Sequence, residues 1–435
     1  MSALRFAFDG PLAAIDETAR RALFDRATAS DPAVRASVAR TIEEVRLTGD
    51  AALRDQASRF DGVTLDALEV PRALWRAALD ALDPDLRRVM ERAVTNIREV
   101  HTAFLPVACE VTTADGAIIG RRPDPLARVG VYAPGGRAAY PSSVLMGAVP
   151  ARVAGVGEVC LCSPPGPTGR PSAVVLAAAA LADVDRVFAL GGAGAIAAMA
   201  HGTASVPAVD RIVGPGNAYV AEAKAQVATT VAIDSPAGPS ELLVLADASA
   251  APAVVAREML AQAEHDPVAA VVLVTDDASL LEQVRSALTA LVDAEPRAAI
   301  IREAFAARGA LVLAPTLDAA VAFSNTWAPE HLLLTVRTER EQATLDRLRN
   351  AGTIFVGGSA SVAFGDYLSG ANHVLPTGGA ARAYSGLSTL DFVRWTTYQR
   401  ISPTVAAGLA DDVGRFADAE GLPAHAAAAR QWRRA

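Results

Sequence analysis

At 435 residues, with 51% hydrophobic composition and a mean hydropathy of +0.26, the chain can bury more than one sizeable core. A net charge of −8 and pI ≈ 5.4 leave no basic surplus to neutralise phosphates, and no basic patch with interleaved aromatics occurs, which excludes a nucleic-acid binder. Apolar runs are broken by charge, Gly or Pro well before the roughly 18 residues of a membrane span, and residues 1–10 lack a basic-then-apolar leader, so neither a span nor a signal peptide is expected.

The first hundred residues read as helical. Ser30-Asp31-Pro32 is a helix start, and Val34, Val38, Ile42 and Val45 form one apolar stripe that Gly49 ends. Phe60-Asp61-Gly62 reads as a turn, and Pro84 opens a helix to about His101. His101 and His201 carry no surrounding motif and are taken as structural. The cysteines Cys109, Cys160 and Cys162 form neither a disulfide framework nor a zinc-cysteine spacing, which fits a reducing cytoplasm.

From Arg128 the texture changes to alternating strand and helix. Strands are predicted over 128–132, ending in Ala133-Pro134-Gly135-Gly136, over 159–162, and over 186–190, ending in Gly191-Gly192 before a helix. This alternation predicts a parallel sheet covered on both faces, with ligands bound at the carboxyl ends of its strands. No G-x-G-x-x-G and no acidic ribose partner at the usual spacing occur, so a dinucleotide fingerprint is absent. A turn over 213–217 leads into a helix over 218–227, and Asn217 suits both its cap and a ligand contact. Lys224 in that helix is the only lysine among 40 Lys and Arg residues; it is either a chance survivor or has a specific role.

Residues 234–241 link to a second α/β set, with strands over 242–245, 269–275, 310–313, 332–335 and 353–356. Two such units suggest a duplicated architecture with a cleft between them, although no sequence repeat is visible. From about Ala381 the strand pattern fades, and residues 391–398 and 413–434 look helical, more like an arm than a core.

Four segments could carry chemistry. Pro329 biases Ala328 away from helical geometry, so Glu330 and His331 sit at a loop-to-strand junction, where a carboxylate and an imidazole can move protons at neutral pH. Alone, Glu-His is a common surface dipeptide. Gln262 and His265 share one face at the end of a helix that begins near Pro252; imidazole suits zinc, whereas a Gln amide oxygen is an unusual ligand. Residues 365–373 form a glycine-punctuated loop holding Asp366 and His373, and Glu420 and His425 lie near the C-terminus. Four of the six histidines fall in these segments, but spacing alone does not make them converge.

Taken together these segments resemble the L-histidinol dehydrogenase family nearly end to end. The likeness is carried by residues 129–145 (VGVYAPGGRAAYPSSVL), 213–224 (VGPGNAYVAEAK), 237–241 (AGPSE), 262–265, 328–332 (APEHL), 365–377 (GDYLSGANHVLPT) and 420–425. The resemblance implies an α/β fold of two Rossmann-like parallel-sheet domains, with an N-terminal helical segment and a C-terminal helical arm. The expected division is a segment over 1–30, a discontinuous first domain over 31–130 and 238–380, an NAD-side domain over 131–237, and an arm over 381–435 exchanged in a homodimer.

The resemblance further implies a cytoplasmic enzyme, with neither nucleic-acid nor membrane partners, that is zinc-dependent and NAD-linked. It would oxidise L-histidinol by four electrons to L-histidine through bound L-histidinaldehyde, the last steps of histidine biosynthesis. By the resemblance, Gln262, His265 and Asp366 are zinc ligands, with His425 of the partner subunit completing the set. His331 is the general base and also touches substrate, Glu330 activates water, and Ser240, His373 and Glu420 complete the pocket. NAD contacts fall on Tyr132 and Asn217, and on a glutamine whose place Gly194 takes, so weaker or differently oriented NAD is expected. Ser235, where a larger apolar residue is commoner, is a milder departure. The alternatives are a dehydrogenase of the same family for another hydroxymethyl alcohol, a zinc hydrolase using the same Glu, His and metal set, and a non-catalytic metal-binding scaffold.

Overall fold

The computed structural model describes residues 4–26, 31–135, 139–236 and 238–433; Ser30, Gly136, Ala237 and Arg434, which belong to segments singled out above, lie outside these. Strand β1 (Phe8–Pro11) comes first, followed by helices Glu17–Phe24, Pro32–Thr48, Asp50–Gln56, Arg72–Asp80 and Pro84–Ala103. Asp31 and Asp83 each accept a backbone N–H of the helix they cap, with Pro32 and Pro84 in the first turn, as the sequence signal predicts. The antiparallel strands β2 (Cys109–Thr112) and β3 (Ile118–Pro125) lead into a five-stranded parallel sheet. Its members are β4 (Arg128–Tyr132), β5 (Glu158–Ser163), β6 (Arg186–Ala189), β7 (Arg211–Val213) and β8 (Ala232–Ile233), in the order β6-β5-β4-β7-β8.

A second parallel sheet follows, from β9 (Glu241–Ala246), β10 (Ala270–Thr275), β11 (Gly309–Leu313), β12 (His331–Thr335) and β13 (Thr353–Val356). Its order is β1-β11-β10-β9-β12-β13, with β1 recruited as an edge strand. Strands β9, β10 and β12 are buried along their whole length, so they read as continuous apolar runs. Helices cover both faces, and two separate cores form above and below this sheet.

Packing departs from the expected grouping. The helices between Pro32 and Ala103 pack on the five-stranded sheet: Val38, Leu53, Trp75 and Ile97 share one core with Val131, Leu161 and Phe188. Their apolar stripes specify burial but not which of two similar sheets receives them. The expected helix over 391–398 is also corrected, because β14 (Val393–Arg400) is a strand pairing antiparallel with β3. Its β-branched and aromatic residues favour that state, but only Val393 is buried, so no core-facing period marks it. The arm ends in helices Pro403–Ala419 and Pro423–Arg430, packed on each other through Ala410, Gly414, Ala417 and Ala426. The turn at residues 60–62 is the end of a π-helical turn, Ala57–Asp61, closed by Gly62 at φ +69°. Among the described residues no helix is long and apolar enough to cross a membrane.

Lys224 is buried and forms an ion pair with buried Asp234. Its ammonium also donates to the Gly214 carbonyl (3.0 Å), and Asp234 Oδ2 accepts the Gly214 N–H (2.8 Å). The pair thus clamps both sides of the turn that follows β7. Gly214 has φ +117°, and a Cβ there would lie 2.1 Å from the Tyr132 carbonyl oxygen, so only glycine fits. The lone lysine has a positioning role. Lys224→Met, which leaves Asp234 buried without its cation, is expected to cost about 3–5 kcal/mol, read by denaturant unfolding.

His101 is 1% exposed, and neither ring nitrogen has a hydrogen-bond partner among the described residues. Burial pushes its pKa down from 6.5 to about 4. The unfolded chain therefore takes up a proton that the folded chain refuses. This contribution to stability is complete above pH 6.5 and is lost as the pH falls towards 4. His101→Phe is expected to remove up to about 3 kcal/mol of that acid sensitivity, measured as the difference in unfolding free energy between pH 7 and pH 4.

Candidate active site

The two parallel sheets meet across a cleft of ≈ 1520 Å³. The five-stranded sheet turns its carboxyl ends to it: Tyr132 ends β4, residues 191–194 follow β6, and Asn217 follows β7. Strands β4 and β7 are neighbours from which the chain proceeds in opposite directions, so Tyr132 and Asn217 flank the switch point of the sheet. The six-stranded sheet turns its amino ends to the same cleft. Ser240 immediately precedes β9, Gln262 and His265 precede β10, and Glu330-His331 leads into β12. Asp366 and His373 line the cleft from the segment between β13 and β14; Asp366 lies on the short helix Val362–Tyr367 where a loop is expected.

The helix Leu317–Trp327 ends at Ala328, which adopts a left-handed conformation (φ 55°) before Pro329. This turn sends the chain into β12 with Glu330 and His331 both buried. Parallel pairing of β12 with β9 sets His331 opposite Leu242, so Glu241 lies beside the pair. The Glu241 N–H donates to Glu330 Oε2 (2.7 Å), and the Glu241 carbonyl oxygen lies 2.9 Å from His331 Nδ1. With Nδ1–H donating to that carbonyl, Nε2 is the basic atom; it is buried, has no hydrogen-bond partner among the described residues, and lies 3.7 Å from Asp366 Oδ1.

Burial opposes charge on His331, but the Glu330 and Asp366 carboxylates together outweigh it and raise its pKa above the ordinary imidazole range. Burial likewise opposes charge on Asp366, yet His331, with His373 and His265 nearby, holds its carboxyl below the usual range. His373 is pushed down by burial against the pull of Asp366, whose backbone carbonyl lies 2.9 Å from His373 Nδ1. In its neutral form the His331 imidazole can accept a proton from a substrate hydroxyl, and the raised pKa puts that form on the alkaline side of neutrality.

Two residues not singled out by sequence support this arrangement. The carboxylate of Glu241 is buried, paired with Arg26, and accepts the Gly378 N–H (2.8 Å). Arg26 also donates to the Trp327 carbonyl and stacks on the Trp327 ring, 3.6 Å from its centroid. Glu241 lies inside the 237–241 motif and could have been found there; nothing in the sequence around Arg26 marks it.

On the opposite wall, the Tyr132 hydroxyl accepts the Gly192 N–H (3.0 Å), and burial pushes its pKa up to about 12, so it stays a neutral phenol. Asn217 caps its helix through Oδ1, bound by the N–H groups of Tyr219 and Val220, which leaves its amide NH₂ for a ligand. Gln262 is buried at the end of helix Pro252–Ala263, with His265 just beyond it. Together with Asp366 they offer an amide oxygen, an imidazole nitrogen and an ionised carboxylate, donors that suit a divalent ion but fall short of a closed four-coordinate shell. Among the described residues no three His, Cys, Asp or Glu side chains cluster to hold a metal. Glu420 and His425 are exposed on the arm and are not brought to the cleft of their own chain.

Comparison with known proteins agrees with this architecture. The family model described as histidinol dehydrogenase matches residues 24–433. The chain is 50% identical over 410 residues to a histidinol dehydrogenase of Halobacterium salinarum, covering 94% of this chain and 95% of that one. It is 49% identical over 394 residues to one of Xylella fastidiosa, covering 90% and 91%. The crystal structure of histidinol dehydrogenase from Elizabethkingia anophelis superposes with a TM-score of 0.93 at 32% identity, covering 99% of this chain and 98% of that one. An oxidoreductase of two parallel-sheet units, this chain belongs to the histidinol dehydrogenase family.

Proposed function

We propose that this enzyme oxidises L-histidinol to L-histidine in two NAD-linked steps through a bound aldehyde, consuming one water and two NAD⁺. The observation that carries this reading is Glu330-His331, a carboxylate and a base fixed side by side by the main chain of Glu241 at the wall of the cleft. When bound, NAD⁺ supplies the hydride acceptor and zinc a Lewis-acid template for the substrate's imidazole and amine. Gln262, His265 and Asp366 would hold the metal, with His425 of the partner subunit as the remaining ligand.

His331 Nε2 takes the hydroxyl proton in the first oxidation, releases it to solvent, and takes the proton of the hydrated aldehyde in the second. The bond to the Glu241 carbonyl keeps its ring oriented in both. Glu330, held through Oε2, uses its other oxygen to deprotonate the water that adds to the aldehyde. Ser240 and His373 line the substrate end, and Glu420 is assigned to the same pocket from the partner subunit. Tyr132, Asn217 and the segment holding Gly194 form the NAD side. Enclosure between two sheets keeps a reactive aldehyde from escaping.

Zinc-loaded protein is expected to form two NADH per L-histidinol consumed, followed by absorbance. Chelation should abolish turnover, and His331→Ala should lower kcat by about 10²–10⁴-fold. Zinc binding without histidinol turnover would overturn the substrate assignment in favour of another hydroxymethyl alcohol.

Exchange of the arm in a homodimer is supported by the exposure of Phe416 (71%), Trp432 (48%) and Leu422 on the same stretch of the arm as Glu420 and His425. His425→Ala and Asp366→Ala should each be inactive alone. Co-expressed, they should recover about a quarter of wild-type activity, because half of randomly formed dimers then hold one intact site of two. No recovery in dimers confirmed by sedimentation would rule out the shared site.

A further inference from the structure

Gly194 lies in the third position of helix Gly192–His201, in the wall of the cleft on the Tyr132 side. A Cβ at this position would lie 2.0 Å from Gln56 Oε1 and 3.2 Å from Gln56 Cδ. The missing side chain is thus replaced in space by the Gln56 amide, reaching over from helix Asp50–Gln56. Gln56 is 7% exposed, lines the cleft, and its Nε2 has no hydrogen-bond partner among the described residues. A buried amide donor left unpaired is costly, and a rotation of this amide in the wall of the cleft would offer it an acceptor on a ligand.

The placement of this amide is fixed from both sides. Asp50, at the other end of the helix, accepts from Thr203 Oγ1 (2.6 Å) and from the Ser205 N–H (3.3 Å). Leu53, one turn before Gln56, is buried against Gly194. Immediately after Gln56 the helix widens into the π-helical turn Ala57–Asp61, a local irregularity that recurs at functional sites.

We propose that Gln56 supplies the hydrogen-bonding amide on the NAD side of the cleft that Gly194 leaves vacant, so that glycine at 194 and glutamine at 56 act as one exchanged pair. This rests on the NAD-linked reading above. It replaces the expectation of weaker NAD binding with a specific source for the lost contact.

Isothermal titration of the zinc-loaded full-length enzyme with NAD⁺ tests it, with L-histidinol titrated separately. Gln56→Ala, and the similarly sized Gln56→Met, are expected to raise the Kd for NAD⁺ about three- to ten-fold while leaving that for histidinol unchanged. Gly194→Gln alone collides with Gln56 and should also weaken NAD⁺. The double variant Gln56→Ala/Gly194→Gln should return the Kd to near the wild-type value, a rescue that a merely structural role of Gln56 would not produce. NAD⁺ bound equally well by wild type and both Gln56 variants, or no rescue in a double variant whose Tm matches wild type, would overturn the proposal alone. A wild type that oxidises histidinol but binds no NAD⁺ would overturn the NAD-linked reading and this proposal with it.

Discussion

The candidate site depends on the parallel pairing of β9 with β12. That register sets Glu241 beside Glu330 and His331, and both peptide groups of Glu241 are then spent on the two side chains. The orientation of the base and the carboxylate is fixed by the main chain of central, fully buried strands. Arg26 holds the carboxylate of Glu241 in place and stacks on Trp327, which ends the helix leading into the Glu330-His331 turn. One buried arginine therefore ties together the two chain segments that meet at the site. A charge pair this deep is costly to break, because either partner left alone is an uncompensated buried charge.

The two sheets present opposite ends to the cleft. Carboxyl ends of the five-stranded sheet bring glycine turns and a helix N-terminus, which suit a phosphate-bearing cofactor. Amino ends of the six-stranded sheet bring the titratable side chains. Division of labour follows from this geometry: one wall offers backbone N–H groups and neutral donors, the other a base, carboxylates and metal-type donors. The Lys224–Asp234 clamp belongs to the first wall, where it holds a turn that glycine alone can make against the Tyr132 carbonyl.

The sequence by itself determined a good deal. Strand β4 and the helix Ala218–Val227 fall where predicted, and β9 to β13 within a residue or two, because continuous apolar runs bounded by Gly, Pro and caps have few other solutions. Glu330 and His331 were legible from Pro329, which forces a turn just before a buried strand, and Tyr132, Asn217, Ser240, Gln262, His265, Asp366 and His373 at the cleft lie in motifs resembling a known family. Strand β14 was not, because its two faces are too evenly exposed to leave a period. Only the tertiary structure decided which sheet the Pro32–Ala103 helices cover, that Arg26 anchors Glu241, and that the Gln56 amide fills the space above Gly194. Each of these is a meeting of residues far apart in the chain. Local propensity and spacing specify that a side chain is buried or polar, but its partner is chosen by the packing of whole elements.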